Sequence, residues 1–266
     1  MKYKILVLDI DGTLNNSKKE ITPKTKEAIA DLQKKGVAIV IASGRPTYGI
    51  MPVARELGLE KTGGYILSYN GGKIINCKTE EVFYEKILPN GSIRRVAEMA
   101  DKERCAVLSY DGDCVIATDV ENPYVQLEAK INHLPIAPMK SFEEYDDMPV
   151  NKCLIVGDGE YLETIEADFV KAFPEMNVFR SEAFFLEFVP QGIDKALSLS
   201  VLLEELGLTK EEMVACGDGF NDLSMIEYAG MGVAMKNAKQ EVKDVADFIT
   251  KSNDEDGVAY AIEQLF

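Results

Sequence analysis

Two features of the sequence predict an α/β protein whose doubly wound parallel sheet is interrupted by an inserted α+β domain. Near both ends of the chain, short continuously apolar runs alternate with helical stretches, as in a parallel sheet covered on both faces. Between them, from Tyr84 to Phe188, several strands follow one another through tight turns, as in an antiparallel sheet. The reading is therefore a catalytic core over 1–83 and 189–266, with an inserted domain over 84–188.

The first strand is "KILVLDI", apolar almost throughout as burial on both faces requires. "ITPKTKEAIADLQKKG" reads as a helix with Thr22 as its cap, Pro23 at the first helical position and Gly36 at the exit. "VAIVIAS" is a second buried strand, "RPTYGIMPVARELGL" a helical stretch with Pro46 near its start, and "GYILSYNGG" a third strand ended by Asn70 and Gly71. In the inserted segment the helices are "SIRRVAEMADKER", "NPYVQLEAKIN" and "EYLETIEADFVKAF"; the strands are "CAVLSY", "CVIAT", "KCLIVG", "NVFRS" and "FLEFV". "SYDGDC" is a hairpin turn. After Pro190 the first pattern returns: helix "DKALSLSVLLEELG", strand "MVACGDG", helix "NDLSMIEYAG", strand "MGVAM", helix "AKQEVKDVAD", strand "FITKS" and closing helix "GVAYAIEQLF".

A formal net charge of −16 argues against a basic nucleic-acid-binding face, and any anionic substrate must meet a local positive site built against that field. The inserted segment alone holds 10 basic and 21 acidic residues, a net of −11, which disfavours polyphosphorylated or polymeric anions. No apolar run reaches membrane-spanning length and no signal-peptide pattern opens the chain, so a cytoplasmic protein is expected, a monomer or weak homodimer. The five cysteines form no C-x-x-C pair and read as reduced, structural thiols. The one histidine, His133 in "KINHLPIAP", falls at a helix end before a proline-containing loop, so histidine-based catalysis is not expected.

In open α/β sheets ligands bind at the carboxyl ends of the strands. There the first strand offers Asp9, Asp11, Gly12 and Thr13; the second Ser43, Gly44 and Arg45; the third Asn70 and Gly71; and "MVACGDG" offers Asp218, then Asn221 and Asp222. Lys195 opens a helix nearby in the same pattern. Carboxylates gathered on one edge are hard oxygen ligands suited to Mg2+. Ser43, Gly44 and Lys195 suit an anion, offering a hydroxyl, an approachable backbone and a point charge. Metal, anion site and a spare carboxylate together describe phosphoryl transfer. The bland alternative, an EF-hand loop over Asp9–Glu20, fails because Leu14 stands where that loop demands glycine and a strand precedes it.

"DIDGTL", "SGR", Lys195 in "GIDKA" and "GDGFND" resemble, in order, the four motifs of the haloacid dehalogenase-like superfamily. The insertion resembles the large cap of the Cof-type phosphatases, as do "LSYNGG", "FLEFVPQGIDKA", "GDGFNDLSM" and "SNDEDGVA". Ala196 departs from the glycine often found after the lysine. The resemblance implies a Rossmann-like core and a Mg2+-dependent phosphatase of small phosphate monoesters, foremost sugar phosphates. It implies that Asp9 is the nucleophile that becomes an aspartyl-phosphate, and Asp11 the general acid, then base. Mg2+ would be held by Asp9, the Asp11 carbonyl and Asp218. Ile10, Ser43, Gly44, Lys195 and Asn221 would hold phosphoryl oxygens, with Thr13 and Asp222 supporting the ligands from behind and Arg45 a candidate substrate contact. To donate a proton Asp11 needs a raised pKa, whereas metal-bound Asp9 needs a lowered one.

Two rivals remain at this point. A phosphomutase of the same superfamily would hand the phosphate to a sugar instead of water. A receiver-like signalling module shares the acidic cluster, but its accepting aspartate lies on a middle strand and it has no place for the insertion.

Overall fold

A computed structural model describes residues 2–266. The chain divides into two compact units, one of residues 1–84 with 194–266 and one of residues 85–193. The last strand of the second unit runs to Pro190, and the chain returns to the first unit at Asp194.

In chain order the strands are β1 (Ile5–Leu8), β2 (Ala38–Ala42), β3 (Tyr65–Ser68), β4 (Lys73–Asn76) and β5 (Val82–Glu85). The inserted unit adds β6 (Ala106–Asp111), β7 (Cys114–Ala117), β8 (Ile136–Pro138), β9 (Cys153–Val156), β10 (Met176–Glu182) and β11 (Phe185–Pro190). Last come β12 (Met213–Gly217), β13 (Met231–Ala234) and β14 (Phe248–Ile249). The helices are α1 (Pro23–Lys34), α2 (Thr47–Glu56), α3 (Leu59–Thr62), α4 (Ser92–Lys102), α5 (Pro123–Asn132), α6 (Gly159–Ala172), α7 (Lys195–Leu206), α8 (Leu223–Tyr228), α9 (Gln240–Val245) and α10 (Gly257–Leu265).

Among the described residues the first unit forms one sheet of order β14-β13-β12-β1-β2-β3-β4-β5. From β14 to β3 every pairing is parallel, with the reversal of strand order beside β1. β1 is buried along its whole length, as its uninterrupted apolar run requires. Leu8 pairs with Cys216 on one side and Ile41 on the other, so the residues after β1, β2 and β12 emerge together at one edge. α1 starts as its sequence dictates, Thr22 accepting from the Thr25 amide at 3.2 Å with Pro23 behind it.

Two expectations change here. The sheet is not wholly parallel, because β4 turns back antiparallel to β3 and β5 extends that edge, where the sequence reading ended at Gly71. Four-residue strands between turn residues leave too few side chains for a periodic signal. In the second unit the sheet runs β10-β11-β9-β6-β7-β8, and β8 pairs parallel to β7 in the stretch read as a loop, so that sheet is mixed. Its core is aromatic: Phe188 meets Phe169 and Phe173 edge-on at 5.9 and 5.4 Å. His133 ends α5 in a left-handed turn, at the helix end where its sequence put it. Cys77, Cys153 and Cys216 are buried without disulfides, and burial pushes each thiol up to about 12, which makes them inert. No helix among the described residues is long and apolar enough to cross a membrane.

The turn after β3 sets the position of α7. Tyr69, Asn70 and Gly71 all have positive φ, and the Gly71 carbonyl accepts from Ser198 Oγ at 2.6 Å. A Cβ on Gly71 would lie 2.6 Å from the carbonyl oxygen of Asp194, the residue that caps α7. Gly36 has a similar φ with nothing within 4 Å. Gly71→Ala is therefore expected to cost roughly 3 kcal/mol in urea unfolding, from left-handed strain and crowding together. Gly36→Ala should cost only about 1 kcal/mol. Equal costs at the two positions would mean that the approach to α7 is not tight.

Candidate active site

Four segments converge on one nitrogen. Lys195 is the first residue of α7, whose cap Asp194 accepts from the Leu197 amide at 3.0 Å. Its side chain runs inward and is 1% exposed. Nζ donates to Asp9 Oδ1 after β1 at 2.9 Å, to the Ala42 carbonyl of β2 at 2.9 Å, and to Asp222 Oδ1 after β12 at 2.6 Å. An ammonium has three donors, so none is left over for a further acceptor. The sequence expectation made Lys195 a phosphate holder; its contacts within the chain are to Asp9, Asp222 and Ala42. Burial by itself would lower its pKa, but Asp222 and Asp9 outweigh that and hold it above the ordinary lysine range, so it stays charged.

Asp222 is fully engaged as well. Its Oδ1 takes Lys195, and its Oδ2 accepts from the Asp218 and Gly219 amides at 2.9 and 3.0 Å. It therefore ties the Asp218 loop to the lysine. Asp218 Oδ1 accepts from Thr13 Oγ1 at 2.8 Å, and Asp218 presses on Gly12, where a Cβ would lie 2.2 Å from Oδ2. With φ at +87°, Gly12 is the only residue type that suits both the backbone and the space.

Oxygens of Asp9, Asp218 and Asp222 lie within 4.8 Å of one another. Three carboxylates against one ammonium leave a formal −2, and the donors are all oxygen, which suits a hard divalent cation. The tied-up oxygens of Asp222 leave Asp9 and Asp218 as the side chains able to take it. Burial and then Asp222 raise the Asp9 carboxyl to about 8 despite Lys195. Burial likewise raises Asp218 to about 6, against the Thr13 hydrogen bond.

Asp11 faces a different set. Arg45 grips it with both arms of its guanidinium, Nε on Oδ2 at 2.9 Å and Nη2 on Oδ1 at 2.8 Å, and Lys19 adds a third bond to Oδ1 at 2.9 Å. Burial alone would raise the Asp11 carboxyl, but the two cations outweigh it and hold it below the usual carboxylate range. The two carboxyls thus sit in opposite surroundings, Asp9 against burial and Asp222, Asp11 against two cations. The sequence reading gave Arg45 no partner within the chain and missed Lys19 altogether.

The remaining predicted residues line the same edge. Ser43 Oγ accepts from the Arg45 amide at 3.3 Å, and a Cβ on Gly44 would touch the Asn70 amide group at 3.0 Å. Asn70 joins two loops: its amide donates to the Ser43 carbonyl and its Oδ1 accepts from Asn221 Nδ2, both at 3.0 Å. Ile10 is fully buried in the loop where the Leu14 amide reaches back to the Asp9 carbonyl. Sequence reading also missed Asn237, whose Nδ2 holds the Gly12 carbonyl at 2.8 Å, and the ties from "SNDEDG": Asp254 accepts from the Ser17 amide at 2.8 Å and Asp256 from Thr22 Oγ1 at 2.6 Å. An acidic turn far along the chain gives no local sign of such partners.

Similarity to known proteins agrees with this geometry. A family model described as haloacid dehalogenase-like hydrolase matches residues 6–262. The crystal structure of a haloacid dehalogenase-like hydrolase from Bacteroides thetaiotaomicron has a TM-score of 0.96 and 53% identity, covering 100% of both chains. The Bacillus subtilis protein YkrA, which carries a phosphatase name, is 36% identical over 100% of this chain and 98% of its own. The subclass IIB sugar phosphatase BT4131 has a TM-score of 0.81 and 28% identity over 98% of each chain. The chain belongs to the haloacid dehalogenase-like hydrolases, and within them to the Cof-type phosphatases.

Proposed function

We propose that this phosphatase hydrolyses small phosphate monoesters, sugar phosphates foremost, with Mg2+ and through an ester formed on Asp9. The observation that carries the reading is the buried Lys195 ammonium, which fixes one Asp9 oxygen beside Asp218. A carboxylate and a phosphate dianion repel by several kcal/mol at about 4 Å. A dication held by Asp9, Asp218 and the Asp11 carbonyl would offset that repulsion and the charge on the phosphoryl oxygens. Lys195 points the nucleophile and works against the burial that raises its carboxyl. In the first step an Asp9 oxygen bonds to phosphorus and the ester oxygen leaves, taking a proton from Asp11, which takes that proton up from solvent once the arriving anion draws Arg45 away. In the second, water bonds to phosphorus, the Asp9–phosphorus bond breaks, and Asp11 takes the proton of the water. Ser43, Gly44, the Ile10 amide and Asn221 surround the phosphoryl oxygens, Thr13 and Asp222 steady the metal ligands, and Arg45 is the group an arriving anion can draw from Asp11.

The unit of residues 85–193 serves as the substrate-selecting cap. Its net charge, −11 over 84–188, favours substrates with one phosphate and a neutral polyol, and the likeness to a sugar phosphatase supports the same class. A panel of phosphate monoesters with Mg2+ should rank sugar monophosphates above bisphosphates and nucleotides by kcat/KM. Activity should vanish in excess chelator and return with Mg2+. A panel headed by bisphosphates, or full activity in chelator, would contradict the reading.

Lys195→Met should cost at least ~10²-fold in kcat/KM, the scale of one lost electrostatic stabiliser. It should also destabilise the fold by roughly 3–5 kcal/mol, because Asp9 and Asp222 lose their buried counter-ion. Lys195→Arg should rescue poorly, its planar fork fitting a three-way grip badly. Near-wild-type turnover in Lys195→Met would remove the lysine from the reaction.

Metal affinity should depend on pH, since ligating carboxylates must be ionised. With Asp9 raised to about 8 and Asp218 to about 6, protons compete with Mg2+ increasingly as pH falls through that window. The Mg2+-induced rise in Tm should therefore be larger at pH 8.5 than at pH 6. A pH-independent rise would mean that these two carboxyls do not hold the ion.

A further inference from the structure

Outside the residues of the four motifs, one side chain reaches the reacting groups. Lys19 lies eight residues after Asp11, in the loop "NNSKKE", and its ammonium sits 2.9 Å from Asp11 Oδ1, the oxygen that Arg45 Nη2 also holds. An exposed lysine beside an acid is ordinarily a weak surface pair. Two observations set this one apart. Lys19 has φ +63, a conformation that non-glycine residues rarely adopt. The loop that imposes it is tied at several points: Asn16 donates to the Glu20 carbonyl at 3.0 Å, the Lys19 amide to the Asn16 carbonyl at 2.9 Å, and Asn16 Oδ1 accepts from the Lys18 and Glu20 amides. Asp254 anchors the same loop through Ser17. The loop thus holds a lysine in an unfavourable backbone state and delivers its charge to one carboxylate.

We propose that Lys19 is a positioning residue for Asp11, an inference that rests on the acid and base roles given to Asp11 above. Arg45 has a second candidate partner in the substrate anion; Lys19, its side chain 67% exposed, shares Asp11 Oδ1 with Arg45 and has Asp11. When Asp11 has passed its proton to the leaving oxygen it is again a carboxylate. Lys19, bonded to Oδ1 from its tied loop, keeps that carboxylate aimed for the water of the second step, even while Arg45 is drawn to the substrate.

The test is a double-mutant cycle of wild type, Lys19→Met, Asp11→Asn and the double variant. It uses p-nitrophenyl phosphate, whose leaving group needs no proton, and the sugar phosphate with the highest kcat/KM in the panel. Lys19→Met should lower kcat about tenfold on both substrates, a fraction of the general acid–base contribution. KM and Tm should change little, and Lys19→Arg should restore most of the rate. In the Asp11→Asn background, followed with p-nitrophenyl phosphate, Lys19→Met should cause no further loss. An equal loss in both backgrounds, no loss in the wild-type background, or failure of Lys19→Arg to rescue would overturn the inference. If Asp11→Asn itself matched wild type on both substrates, the reading of Asp11 would fall and this inference with it.

Discussion

The first unit depends on a single buried ammonium. Lys195 Nζ joins the ends of β1, β2 and β12 to the first turn of α7, each of its three bonds going to an oxygen of the chain. Desolvating a lysine and two carboxylates is costly, and the cost is met only where the geometry saturates every partner. That requirement explains why the neighbouring backbone is so constrained. Gly71 must be a glycine so that its turn can approach Asp194, and Gly12 so that Asp218 can approach the β1 loop. Ser198 bonds the first turn of α7 to the same Gly71 turn.

The charge arrangement follows from the same centre. Lys195 neutralises one of three carboxylates, leaving an excess of negative charge beside Asp9, and burial raises the carboxyls of Asp9 and Asp218. Asp11, only two residues from Asp9, is turned to Arg45 and Lys19 and has the opposite electrostatics. A continued strand would put residues 9 and 11 on one face, so it is the turn that begins at Ile10 that lets Asp9 meet Lys195 while Asp11 meets Arg45 and Lys19.

Much of this was legible in the sequence because the chemistry sits where chain grammar changes. Asp9, Ser43 and Asp218 each follow an apolar run, and Lys195 opens a helix after Asp194, so the strand-edge rule gathered them before any coordinates. What stayed hidden depends on partners distant in sequence or on short elements. The pairing of Arg45 with Asp11 spans 34 residues, and the saturation of Lys195 by Ala42 and Asp222 has no local sign. Lys19 looked like one lysine in a polar loop; only its left-handed backbone distinguishes it. β4, β5 and β8 were missed because three or four residues between turns carry too little periodicity.

The central claim is that Asp9, gripped by Lys195, attacks phosphorus while Asp11 handles the proton. Rapid mixing of the Asp11→Asn protein with Mg2+ and p-nitrophenyl phosphate, followed by acid quench and peptide mass spectrometry, tests it most directly. The leaving group departs without a proton, so Asp9 should be phosphorylated, and hydrolysis should stall for lack of a base. The predicted result is a burst of p-nitrophenol with phosphate on Asp9. A phosphate on another residue, or no phosphorylated protein behind a burst, would contradict the account.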